Sequence, residues 1–151
     1  MSGLCGCGGR LENNMRNQLL VIDDANLHLS IVSRIATQAG FATTGASSVG
    51  EAAKLLRERT FDCITLDLSL GEHSGVEVLK QLAEMKCRTP IIVISGSEDS
   101  VREETVRIGN LLDLNLCAPI PKPINLAVLR GALTQIADGI QKQRLAAPGG
   151  W

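Results

Sequence analysis

The run Ile91-Ile92-Val93-Ile94, opened by Pro90 and closed by Ser95, is the stretch that most restricts how this chain can fold. Four large apolar residues in a row, with no polar alternation, mark a strand covered on both faces. Such strands belong to parallel sheets sandwiched between helices. The rest of the 151 residues supplies that surrounding structure. An apolar run at 19–22 is followed by Leu27, Ile31, Ile35 and Ala39 at helical spacing up to Gly40. A second strand is expected at 41–45 and a second helix at 48–59, with Ser48 as its cap and Ala52, Leu55 and Leu56 turned inward. A third unit follows, with a strand at 63–66 and a helix at 75–85 carrying Val78, Leu79 and Leu82. Beyond the 91–94 strand come a helix at 100–111, a strand at 117–120 and a last helix on which Leu126, Leu129, Leu133, Ile136 and Ile140 recur.

Five strand–helix units predict an α/β fold, a doubly wound five-stranded parallel sheet with helices on both faces, and they fit the flavodoxin-like strand order 2-1-3-4-5. Pro119 and Pro121 cannot donate ladder hydrogen bonds, which puts the fifth strand at an edge. The organised part spans 18–143. Polar, Gly-rich residues 1–17 read as a flexible leader and 144–151 as a tail or linker.

Aromatic residues make up 2% of the chain, so the core must be built from Leu, Ile, Val and Ala. The 15 Lys and Arg are offset by 16 Asp and Glu, and neither a basic patch nor a helix-turn-helix-sized segment is present, which argues against direct nucleic-acid binding. No apolar run approaches the ~18 residues needed to cross a bilayer, and no export signal follows the start. Five cysteines at irregular spacing predict reduced thiols and a cytoplasmic location. Cys5 and Cys7 have no second pair at ligand spacing, so no metal is assigned to them. The glycines around them precede the first strand and therefore form no nucleotide-binding loop.

In such a sheet the working residues lie at the carboxyl ends of the strands. Here those ends carry Asp23-Asp24, Asp67, Ser95 and, within PIPKP, Lys122. Three carboxylates brought together repel by about 4 kcal/mol per pair at ~4 Å and an effective dielectric of ~20. One lysine compensates too little, and a hard divalent ion with oxygen ligands, Mg2+ above others, suits the remainder. A carboxylate beside such an ion, an ammonium and a hydroxyl is a place for a phosphoryl group, with Asp67 as nucleophile.

The segments VIDDAN, ITLDLSLGEHSG, PIIVISGSED and PKPI, in that order, resemble the receiver domain of two-component response regulators, of the chemotaxis-regulator kind. The resemblance covers 18–143. It implies that Asp67 is the phosphoacceptor and that Asp24 is a direct Mg2+ ligand. Asp23 would assist through water, and the backbone carbonyl of Ser69 would face the metal. Ser95 resembles the switch hydroxyl and Lys122 the lysine that pairs with the phosphoryl group, while Lys122-Pro123 resembles a bond the family holds cis. Gly75 matches the glycine that opens the third helix.

Three positions depart from the pattern. Gly71 stands where the family often has proline, Ser95 replaces the commoner threonine, and Pro119 occupies the place of the inward-turning aromatic. The implied function is that of a phosphoacceptor rather than an enzyme. A sensor histidine kinase or phosphotransfer protein would be the donor, a downstream protein would be the target, and a homodimer is left open. Two alternatives stand beside it, a receiver-shaped interaction module indifferent to phosphate and the receiver portion of a longer regulator. His28 and His73 read as solvated surface histidines. Asp23-Asp24-Ala25 lacks the D-x-D pattern of haloacid-dehalogenase-type phosphatases, and the turn after Ile22 lacks the glycines of a nicotinamide or flavin site.

Overall fold

The apolar runs form strands and the periodic segments form helices, as a computed structural model describes over residues 16–68, 75–95 and 106–146. The strands are β1 (Asn17–Ile22), β2 (Phe41–Ala46), β3 (Cys63–Asp67), β4 (Ile91–Ser95) and β5 (Ile120–Pro121), in the order β2-β1-β3-β4-β5. All four pairings are parallel. Between them run α1 (Asn26–Gln38), α2 (Val49–Glu58) and α3 (Gly75–Glu84), then helical residues 106–111, here α4, and finally α5 (Leu126–Ala146). The expected fold class and strand order are those observed. Residues 1–15 and 147–151, most of the expected leader and tail, lie outside the described residues.

Every residue of β3 and β4 is buried, which is why their sequences show no polar alternation. The alternation is present but apolar on both sides. Leu20, Ile22, Ile64, Leu66 and Val93 pack with Ala52 of α2 and Val78, Leu79 and Leu82 of α3. Leu19, Val21, Cys63, Ile92 and Ile94 pack on the opposite face with Val32, Ile35 and Ala36 of α1 and Leu129 and Leu133 of α5. Phe41 is the one aromatic of this second layer and is fully buried. Burial pushes the Cys63 thiol well above its ordinary range, so it behaves as a small apolar core residue.

The helix ends are set locally. Ser48 accepts from the Glu51 backbone N–H at 3.1 Å, and Glu51 Oε1 accepts from the Ser47 N–H at 2.6 Å, so two donors that the helix cannot satisfy are paired at the start of α2. Asn125 does the same for α5, its Oδ1 accepting from Ala127 and Val128. Gly40 turns the chain from α1 into β2 with φ of 91°, a region that disfavours side chains.

Two expectations are corrected. The buried stripe of α1 is Val32, Ile35 and Ala36, while Leu27 is 70% exposed, so the helix is rotated relative to the Leu27-Ile31-Ile35-Ala39 reading. The fifth strand is shorter and later than 117–120. Leu116 bridges Ile91, an offset of 25 residues, whereas Ile120 pairs with Ile94 and Pro121 with Ser95, offsets of 26. One extra residue therefore bulges between them, at 117–119. Cys117 N–H donates to Ile91 O, and the next donor facing β4 in an unbroken ladder would come from Pro119, which has none. After the bulge, Lys122 N–H donates to Ser95 O. The nitrogen of Pro121 thereby faces the open edge of the sheet, where no donor is needed.

Gly109 of α4 sets how closely that helix approaches the chain before β5. A Cβ there would overlap Leu116 Cδ1 and stand 2.8 Å from Leu116 Cγ. Gly109→Ala should lower stability by about 1 kcal/mol, because overpacking of ~1–3 kcal/mol exceeds the ~1 kcal/mol gain in helix propensity. In a Leu116→Ala background the same change should raise stability. A denaturant double-mutant cycle checks the reversal, and equal effects in both backgrounds would contradict it.

Candidate functional site

The parallel register brings the carboxyl ends of four strands side by side. Ile22 pairs with Leu66, Asp67 with Ile94, and Ser95 with Pro121, so the residues at or just beyond these pairs are neighbours at one edge of the sheet. Asp67 closes β3 and is 2% exposed; Asp23 follows β1 and is 3% exposed; Ser95 closes β4 and is equally buried. Lys122 leaves β5 anchored by its backbone bond to Ser95 O, and its Nζ donates to Asp67 Oδ2 at 2.9 Å. The Lys122–Pro123 bond is cis.

Asp23 and Asp24 part company at the end of β1. The Asp23 N–H donates to Ala46 O, which prolongs the pairing with β2 and keeps Asp23 in the strand's course, buried beside Asp67. Asp24 begins the turn into α1 and is exposed. Asp23, expected to assist the metal, is thus buried with Asp67, and Asp24, expected to bind it directly, lies at the solvent-facing side of the same turn. Ser69, Gly71 and His73 lie outside the described residues.

Asp23 Oδ1 accepts from the Ala25 N–H at 2.9 Å, and His28 Nδ1 lies 3.2 Å from Asp23 Oδ2. His28 is thus not the solvated surface residue expected. Its side chain is 32% exposed, on the first turn of α1, and one of its ring nitrogens belongs to the same cluster as the two carboxylates. The available signal was a spacing of five from a strand-end aspartate into the first helical turn, a distance the chain covers in one turn and one helix start.

Burial pushes the Asp23 carboxyl above its ordinary value. The Ala25 N–H draws it down, the Asp67 charge and hydrogen bond push it up again, and His28 draws it down. Burial and the neighbouring Asp67 carboxylate thus both work against the charged form of Asp23. A divalent cation would offset both. One donor atom each from Asp23, His28 and Asp67 lie within 4.8 Å of one another. Ligands across one ion of bond length ~2.1 Å stand ~4.2 Å apart, so the cluster is close to the span of a single ion. The residues fit such a group.

A model of the response regulator receiver domain matches residues 19–134. The transcriptional regulatory protein SrrA of Staphylococcus aureus is 34% identical over 94 residues, 62% of this chain and 37% of SrrA, so the chain matches little more than a third of that relative's length. Among solved structures, a response regulator from Colwellia psychrerythraea is 28% identical with a TM-score of 0.67, covering 82% of this chain and 98% of that one. A response regulator protein from Burkholderia pseudomallei, solved with a phosphorylated aspartic acid, calcium ion and citrate, is 27% identical with a TM-score of 0.64, covering 87% and 75%. With the sheet order, the strand-end carboxylates and the lysine already in place, the family match over 19–134 makes the chain a member of the response regulator receiver domain family of two-component systems.

Proposed function

We propose that Asp67 accepts a phosphoryl group from a sensor histidine kinase or a phosphotransfer protein, and that the change is read by a downstream protein. The observation that carries this reading is the Lys122 ammonium, 2.9 Å from one oxygen of a strand-end carboxylate buried beside a second carboxylate. In the transfer, an Asp67 oxygen forms a bond to phosphorus as the bond to the donor imidazole nitrogen breaks, and the imidazole leaves with its electron pair. Lys122 moves its ammonium from the carboxylate oxygen it occupies to a phosphoryl oxygen, staying paired throughout. Ser95 offers a hydroxyl donor from the end of the adjacent strand. Asp24 and Asp67, with the Ser69 carbonyl and with Asp23 assisting through water, would hold Mg2+. The ion, when bound, neutralises phosphoryl oxygens as charge develops on them.

This is a phosphoacceptor that assists its own modification rather than an enzyme with a separate substrate. SrrA is named a transcriptional regulatory protein, but the match covers 37% of it, so that property is not transferred to these residues. The receiver portion of a longer regulator accords with such partial coverage. No described helix is long and apolar enough to cross a membrane, which accords with a cytoplasmic donor and target. The organised unit is taken as 18–143. Homodimerisation is an added route for the signal.

Pro119 favours a second reading. It sits in the bulge ahead of β5, where the family's aromatic would turn, so a module that binds its partner without regard to phosphate is the competitor. Equal partner affinity with and without beryllofluoride would establish it, because a ligand that binds both states equally shifts neither.

Incubation with a small phosphodonor and Mg2+ should give one labile, hydroxylamine-sensitive adduct, lost in Asp67→Asn and suppressed by a chelator. Persistence of the adduct in that variant would remove Asp67 from the role. Metal should also report on stability. At ~10 times its dissociation constant, Mg2+ should add about 1.4 kcal/mol, roughly 4 °C for a domain of this size. Asp23→Asn, which relieves the carboxylate pair, should raise the metal-free melting temperature by a similar amount and abolish the response to Mg2+. Lower stability with an unchanged metal response would contradict the pairing.

A further inference from the structure

The part of the site that the receiver pattern does not absorb is His28. Its ring stands on the first turn of α1, half-buried, with Nδ1 3.2 Å from Asp23 Oδ2, in a cluster whose other two members are 2% and 3% exposed. An imidazole used only to orient Asp23 would be a neighbour of one carboxylate. This one has a nitrogen within 4.8 Å of donor atoms on both Asp23 and Asp67.

We propose that His28 is an added protein ligand of the divalent-ion pocket, making it a mixed carboxylate–imidazole site that prefers ions of the Co2+ and Zn2+ class over Mg2+ at equal concentration. The chemistry follows from the donor. Mg2+ is hard, takes oxygen ligands and keeps its waters, so an imidazole adds little to its binding. Co2+ and Zn2+ accept imidazole nitrogen readily and gain a bond that Mg2+ does not use. The inference rests on the reading that the Asp23–Asp67 pocket holds a cation. It deepens that reading by naming the class of ion the pocket discriminates. His28 also lies on α1 rather than on a strand, so the identity of the bound ion is coupled to the position of the first helical turn.

Calorimetric titration of the wild-type chain with Mg2+ and with Co2+ tests it, alongside His28→Gln, His28→Asn and Asp67→Asn. Wild type should bind Co2+ at least about tenfold more tightly than Mg2+, the scale associated with one ligand or its supporting partner. Both His28 variants should lose that advantage while their Mg2+ affinity changes by less than about twofold. The Co2+-loaded wild type should show a hyperfine-shifted exchangeable imidazole proton in its NMR spectrum, absent from either His28 variant. Equal losses for both ions would overturn the proposal and make His28 a positioning residue for Asp23. Unchanged Co2+ binding, with no shifted imidazole proton, would overturn it outright. If wild type binds neither ion, or Asp67→Asn binds both as well as wild type does, the cation-pocket reading itself fails.

Discussion

Two carboxylates, Asp23 and Asp67, buried at the same edge of a parallel sheet, are the constraint on which the rest of this molecule depends. Left alone they would cost stability, because burial strips their water and proximity makes them repel. The fold supplies one partial remedy in the Lys122 ammonium and a second, the half-buried His28 ring, at a distance where it contacts Asp23. What remains is a concentrated negative site that a cation stabilises. On the proposed reading, the same cationic groups that relieve the carboxylates would also receive the oxygens of a phosphoryl group. Function in this account is the use of an electrostatic imbalance that the apolar sheet makes strong.

The precision of that imbalance comes from parts of the chain that hold no charge. The continuous apolar runs of β3 and β4 fix where Asp67 and Ser95 emerge, and the bond from Lys122 N–H to Ser95 O fixes where the lysine side chain begins. The bulge at 117–119 adjusts the register so that prolines occupy edge positions and Lys122 still meets β4. A one-residue slip in this segment would move the ammonium away from Asp67. Stability of the two apolar layers and geometry of the site are therefore one property seen from two sides.

Much of this was legible in the sequence, for identifiable reasons. Period-2 alternation was invisible in β4, yet its absence signalled a strand covered on both faces, and the prolines placed the fifth strand at an edge, as the doubly wound order requires. Asp67, Ser95 and Lys122 could be placed because each directly follows or closes an apolar run. Three things were not legible. The difference in burial between Asp23 and Asp24 depended on a single backbone bond to Ala46 O that keeps the first in the strand's course. The bulge depended on comparing two registers, which no local pattern encodes. His28 was misjudged because it was read as a residue of the first helix alone, without the strand-end Asp23 five residues before it. Fold class is written in long periodic runs, whereas side-chain neighbours across loops depend on rotations of a few tens of degrees that such runs leave free.

The scarcity of aromatics belongs to the same account. Phe41 and Phe61 are both buried, the first at the start of β2 and the second just ahead of β3. With Pro119 in the place of the family's aromatic, a signal at Asp67 has Ser95 and the residues from Pro119 to Pro123 through which to travel. Any such signal starts from the proposed phosphoryl group on Asp67 and on no other carboxylate of the cluster. Borohydride reduction of the freshly phosphorylated chain, followed by peptide mass spectrometry, converts an acyl phosphate on aspartate to homoserine and so marks its position. The account predicts homoserine at position 67 alone; homoserine at 23 or 24, or its absence from 67 in a chain that carries the label, would contradict it.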